Sequence, residues 1–123
     1  LFLREIYNPN DWYHQISVLN SNFELKQNEW QVEKDKSDTL DWDIAGPLCF
    51  GGDFIRKGVK LGTILPGDII LIHETGANAL NLWSRHCSRQ IPIVVGYKEN
   101  GDGGFTVLKK KETIQDLIDF WSP

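Results

Sequence analysis

The chain has 123 residues, 41% of them hydrophobic, with five Trp and six Phe, which suffices for one domain with a core and is short for two. Its net charge of −4 excludes a nucleic-acid groove, which needs a basic face, and no apolar run approaches the roughly 20 residues of a membrane span. Cys49 and Cys87 are the two cysteines; they form neither a disulfide framework nor a zinc-ligand spacing, so no metal is expected. The opening "LFLREIYNPN" lacks the features of a secretory leader, and a cytoplasmic protein with reduced thiols follows as the expectation. The complete lack of methionine suggests an excised domain, although a lost initiator gives the same sequence.

In chain order, "LFLREIY" (1–7) and "WYHQISVLNSNFEL" (12–25) carry aromatic and β-branched residues with partial alternation. Each is expected to be a strand, separated by the turn residues "NPND". Residues 27–39 mix both charge signs with few apolar side chains and are expected as an exposed hairpin tip or loop. "LDWDIAGPLC" (40–49) alternates through Leu40, Trp42 and Ile44 and then meets Gly46-Pro47, a strand running into a bend. Pro66-Gly67 predicts a type II turn, since proline presets one torsion and glycine accepts positive φ at the next. Asp68 then opens a buried strand through Ile72. Residues 75–90 lose the two-residue period and read as a short helix or an irregular excursion. "IPIVVGY" (91–97), "KENGDGG" (98–104) and "FTVLKKK" (105–111) predict a hairpin. Ile114, Leu117, Ile118 and Trp121 share one face of a terminal helix, with Thr113 and Asp116 spaced as a capping box. The expected fold is mostly β, a Greek-key-like barrel or sandwich with a short C-terminal helix.

Candidate chemistry centres on "AGPLCFGGD" (45–53). A cysteine beside a glycine-rich bend is reachable, and a thiol with an ordinary pKa of about 8.5 exchanges protons near neutrality when neighbours tune it. A free cysteine, however, behaves as a small hydrophobe that usually fills core space, and position alone favours that reading. Gly51 and Gly52 allow backbone to approach a ligand or simply turn the chain. Asp53 caps that turn or holds a cationic group. Cys87 follows His86, but adjacent strand residues point to opposite faces, which weighs against a Cys-His nucleophile. His14 and His73 are expected to make structural hydrogen bonds. Arg85 and Arg89 suit carboxylates or phosphates, and surface ion pairs are the commoner use. "TGANAL" offers backbone N–H groups to an anion or forms a strand-to-helix corner.

"AGPLCFGGDFI", "LPGDIILIHETGANAL", "SRQIPIVV" and "LKKKETIQDLIDFW", in that order, resemble the C-terminal β-domain of fold-type III pyridoxal phosphate decarboxylases. Within this diaminopimelate and ornithine decarboxylase family the likeness is nearest to the diaminopimelate decarboxylases, and "LREIY" and "WYHQI" extend it to the N-terminus. The resemblance implies that residues 1–123 form a single C-terminal β-domain. An N-terminal TIM-type barrel, absent from this chain, would carry the Schiff-base lysine and the phosphate site. It implies a homodimer in which each β-domain completes the partner copy's active site, a small amino-acid substrate, and a place in lysine biosynthesis. Cys49 matches the cysteine of the family's Cys-Glu-x-Gly-Asp motif and is thereby implied as the catalytic proton donor.

The resemblance also implies substrate contacts at Arg4, Tyr7, Phe50 and Asp53 and a cofactor contact at Asn78. The chain departs from the family pattern at several points, Gln90 in place of the proline after Arg89 among them. Phe50 replaces the glutamate that grips a distal ammonium, Asn78 replaces a tyrosine near the cofactor phosphate, and Arg4 and Tyr7 are spaced one residue short. One reading is a working decarboxylase with altered substrate preference; the alternative is a non-catalytic structural or binding module derived from that domain. Under either, the isolated 123 residues are expected to be inactive and to bind no pyridoxal phosphate, because no segment resembles the lysine-bearing strand or the phosphate loop.

Overall fold

A computed structural model describes residues 13–32, 37–76, 80, 83–99 and 104–123. They belong to two compact units, Leu1–Trp83 and Ser84–Pro123. Seven strands and one helix make the chain mostly β, as expected, but the strands form three open sheets and no closed barrel among the described residues. Among those residues no helix is long and apolar enough to cross a membrane.

In the first unit, β1 (Ile16–Leu19) lies between β2 (Leu25–Asn28) and β5 (Ile69–Ile72), antiparallel to both. The extended run 12–25 is thus a hairpin and not one strand. Asn20 Oδ1 accepts from the backbone N–H of Asn22 at 2.9 Å and of Glu24 at 3.0 Å, an Asx-type turn, and Phe23 takes a positive φ of 65°. The expected loop 27–39 begins with the end of β2 and continues as a 3₁₀ turn over Glu29–Gln31. The first predicted strand, 1–7, lies outside the described residues.

β3 (Leu40–Ala45) and β4 (Phe54–Leu61) form a second antiparallel sheet. Six residues of β3 oppose eight of β4, so β4 carries two extra residues, at register shifts between Trp42 and Ile44 and between Ile44 and Ala45. At the first shift Gly58 has φ +64° and its N–H donates to Asp43 Oδ1 at 2.9 Å, a bulge built on glycine's freedom in the left-handed region. Ile16 and Val18 of β1 pack with Ile44, Val59 and Leu61 of this hairpin as the buried core, so the two sheets are joined face to face in the manner of a sandwich.

β1 is buried on both faces. On the face away from the core, Ser17 Oγ lies 2.6 Å from Asn28 Oδ1 and 2.7 Å from His73 Nε2. The Asn28 side chain in turn bonds Gln31 through Nδ2 at 2.8 Å, so Ser17 bridges the amide and the His73 ring. His14 Nδ1 in turn bonds the His73 carbonyl at 3.0 Å. Pro66-Gly67 forms the expected turn, closed by Asp68 N–H to Leu65 O at 3.0 Å, with Gly67 at φ +95°. β5 follows it, half-buried rather than buried.

Beside the apolar core, an ionic contact also links the two sheets. Arg56 Nη1 reaches Glu29 Oε1 at 2.6 Å and Oε2 at 2.7 Å, with side-chain exposures of 16% and 11%. Glu29 also accepts from Tyr13 Oη and from the Ile16 N–H, and Arg56 stacks 4.2 Å over the Tyr13 ring.

In the second unit, β6 (Val94–Tyr97) and β7 (Phe105–Lys109) form the expected hairpin, and α1 (Ile114–Trp121) carries the complete Thr113–Asp116 capping box. Residues 86–88 form a 3₁₀ turn, with Cys87 and Ser88 at positive φ. Glu112 organises this unit: Arg85 binds its carboxylate at 2.9 and 2.6 Å, and the Ile91 N–H donates to it at 2.9 Å. These two partners, the guanidinium first, hold the Glu112 carboxyl below its ordinary pKa.

Two outcomes are expected. Removing one partner of the nearly buried pair, by Glu29→Gln or Arg56→Met, costs about 3 kcal/mol because the other charge stays behind; Tyr13→Phe costs about 1 kcal/mol. Urea unfolding midpoints of the three variants give this order directly. Because folding lowers the Glu112 pKa, its stabilising contribution is complete above the ordinary carboxylate range and disappears as pH falls through the lowered value. Acid titration of the β6–β7 and α1 amide signals will show that loss in the native chain, and Glu112→Gln will remove that component of the acid dependence.

Candidate functional site

The segment "AGPLCFGGD" is the connection between β3 and β4, and its course is set by Asp53. The Asp53 backbone pairs with Gly46, whose N–H donates to Asp53 O at 2.6 Å, and the Asp53 N–H returns to Phe50 O at 3.1 Å. The Asp53 carboxylate turns inward, 4% exposed, and accepts from the Leu48 N–H at 2.8 Å. It occupies the space where residue 46 would carry a Cβ. A side chain at 46 would collide with the carboxyl group, so glycine is required there for close approach and not for an unusual φ. Gly52 of the same loop is also buried.

With its base closed in this way, the loop projects its tip. Cys49 is exposed with its thiol reduced, and Phe50 is 41% exposed. The core reading that position alone favoured is thus overturned, and the exposure agrees with what the resemblance implied. The structure gathers Cys49, Phe50 and Asp53 on one eight-residue loop, 46–53. Arg4, Tyr7 and Asn78 lie outside the described residues. Sequence reasoning passed over Gly46 as part of a bend; its signal was the short Ala-Gly-Pro stretch seven residues before an acid. It also assigned no role to Glu29, which fixes β4 and thereby the hairpin that carries the loop.

Of the other candidates, His73 is engaged with Ser17, and Arg85 is committed to Glu112 in a two-pronged pair of the kind guanidinium favours. Cys87 lies in the second unit, in the 3₁₀ turn at positive φ.

Comparison with known proteins agrees on one lineage. The family model for the pyridoxal-dependent decarboxylase C-terminal sheet domain matches residues 3–76. The diaminopimelate decarboxylase of Deinococcus radiodurans is 38% identical over 76 residues, 62% of this chain and 19% of that protein. That of Buchnera aphidicola subsp. Acyrthosiphon pisum is 30% identical over 114 residues, 87% of this chain and 25% of that protein. The L-glutamyl-[BtrI acyl-carrier protein] decarboxylase of Niallia circulans is 32% identical over 76 residues, 61% of this chain and 17% of that protein. A crystal structure of diaminopimelate decarboxylase has the same fold, with TM-score 0.67 at 24% identity, covering 88% of this chain and 25% of that one. The chain therefore spans about a quarter or less of the length of these relatives.

The loop geometry makes a coupled prediction. Gly46→Ala forces the Asp53 carboxylate off the Leu48 N–H, and Asp53→Ala deletes the same contact, so each is expected to cost about 1–3 kcal/mol. Because both act through one contact, the double variant should be less destabilised than the sum of the singles. Denaturant midpoints of the three chains measure this.

Proposed function

The chain belongs to the pyridoxal-dependent decarboxylase family through its C-terminal sheet domain, and from that premise we propose that it completes the active site of a pyridoxal phosphate-dependent amino-acid α-decarboxylase. In this reading the longer protein pairs the sheet domain with an N-terminal barrel and forms a homodimer, and loop 46–53 faces the substrate held by the partner copy. The single observation that carries it is an exposed thiol, Cys49, at the tip of a loop whose base is fastened by Asp53 and Gly46.

That combination suits a residue that must meet chemistry housed on another surface in a fixed position. Pyridoxal phosphate, when bound to the longer protein, supplies the electron withdrawal that lets the carboxylate depart. The thiol and ring at the loop tip fit a role beside that group, whereas the anchoring lysine and phosphate cradle belong to the barrel. The task of Cys49 is to hold a proton at Sγ and deliver it to the substrate α-carbon in place of the lost carboxylate. Phe50, beside it, contacts the substrate side chain and alters the preference relative to the diaminopimelate enzymes. The named substrates among the relatives already differ, diaminopimelate in one case and a glutamyl group on an acyl-carrier protein in another. Asp53 serves this site by holding the loop. Arg4 and Tyr7 are assigned to the substrate carboxylate and Asn78 to the cofactor phosphate on resemblance alone.

Cys49→Ala in the full-length protein is expected to lower kcat by about 10²–10⁴, the range of a lost general acid, with the unfolding midpoint shifted by no more than about 0.5 kcal/mol. Retained turnover with reduced stability would make Cys49 a packing residue and remove the support for catalysis through this loop.

A further inference from the structure

We propose that Asp43 and Gly58 are positioning residues for the decarboxylation, because the bulge they build sets the strand register on which the place of Cys49 depends. This rests on the decarboxylase reading above and adds to it two residues that lie outside loop 46–53. Three observations carry it. β3 and β4 keep one register from Leu40↔Leu61 to Trp42↔Val59, and then Ile44 meets Arg56 in place of Lys57. Gly58 lies at this change of register with φ +64°. Its N–H donates to Asp43 Oδ1 at 2.9 Å, so a side chain of the facing strand satisfies the donor that the bulge takes out of the ladder.

The register decides how the base of the loop closes. Without the extra residue at this bulge, Ile44 would face Lys57, and the alternation that turns Val59 and Leu61 inward would turn Arg56 away from Glu29. Gly46 would meet Phe54 across the base of the loop instead of Asp53, whose backbone it now pairs with. The Asp53 carboxylate would then leave both the space over Gly46 and the Leu48 N–H, next to Cys49 in the chain. The fastening of the loop therefore exists in one register alone. A thiol that delivers a proton to a carbon held on another surface works within a narrow range of positions, and a misplacement of about 1 Å caused far from the chemistry costs about 10²-fold.

A Cβ at residue 58 would meet nothing within 4 Å among the described residues, so a substitution there acts through the backbone torsion. Valine is a poor fit to the left-handed region, whereas asparagine, of similar size, adopts it readily. In the full-length protein loaded with pyridoxal phosphate, carbon dioxide release is followed with whichever of diaminopimelate, ornithine and glutamate the native protein consumes fastest. The temperature is kept below the unfolding midpoint of every variant. Gly58→Val is expected to lower kcat about tenfold or more with KM changed by less than about twofold, and Gly58→Asn to restore it. Asp43→Ala should repeat the loss, and Asp43→Asn, which keeps Oδ1, should recover activity; this pair decides the matter if the valine variant does not fold. In the 123-residue chain, the Leu48 amide signal should move in Gly58→Val and stay in Gly58→Asn.

An unchanged kcat in folded Gly58→Val and Asp43→Ala proteins overturns this inference and leaves the decarboxylase reading intact. Equal losses in the valine and asparagine variants, a loss confined to KM, or a Leu48 signal that ignores valine at 58 overturn it as well. Absence of carbon dioxide release from all three amino acids with the native protein overturns the decarboxylase reading and this inference together.

Discussion

The first unit depends on a charged pair that is almost removed from water. Among its described residues the apolar core comprises five buried residues from three strands, and a core of that size leaves little surplus to hold two sheets in one relative orientation. Arg56 and Glu29 supply the orientation: the guanidinium extends from β4, and the carboxylate that receives it also takes a backbone N–H from β1 and the hydroxyl of Tyr13. A hydrophobic contact tolerates sliding, whereas a carboxylate with several fixed donors does not. The pair thus contributes specificity of arrangement, a role for which nearly buried ions are suited even when their net stabilisation is small.

Orientation passes outward along the hairpin. β3 and β4 fix the two ends of the connection 46–53, and the connection is closed across its base by the Gly46–Asp53 backbone bond and by the Asp53 carboxylate on Leu48. Everything past that closure is tip, and the tip contains the thiol and the ring. The arrangement separates two demands usually in conflict, since reactive side chains must be accessible while their positions must be reproducible. Here accessibility belongs to residues 49 and 50, and reproducibility to residues 46 and 53.

Much of this architecture was legible from residue order. Pro66-Gly67, the 91–111 hairpin and the capped terminal helix announce themselves by local chemistry, and local chemistry survives unchanged in the fold. What failed to show was β4, the longest strand. Its inward residues include Arg56, Val59 and Leu61, opposite Ile44, Trp42 and Leu40. The bulge at Gly58 sets the first two three positions apart, and no two-residue period reads through it. The hairpin at 20–24 was missed for a different reason: Phe23 and Leu25 looked like strand residues, while Asn20 did the turning through its side chain. Glu29 was hidden among surface-like charges, because a buried ionic partner 27 positions away leaves no mark in the local sequence. The site followed the same rule. Cys49 stood out by residue type beside its glycines, but the inward turn of Asp53 and the space that admits it depend on backbone atoms meeting across the loop.

The two extra residues of β4 have an effect beyond bending the strand. A plain ladder of two strands can slip by one rung, and each slip would move a residue from strand to connection and lengthen the arm that carries Cys49. Gly58, in a backbone state closed to most residues and tied to Asp43, acts as a detent: it fits the partner strand at one setting alone. The distance the sulfur can extend is thereby counted off from a fixed notch, and the connection between β3 and β4 keeps one length.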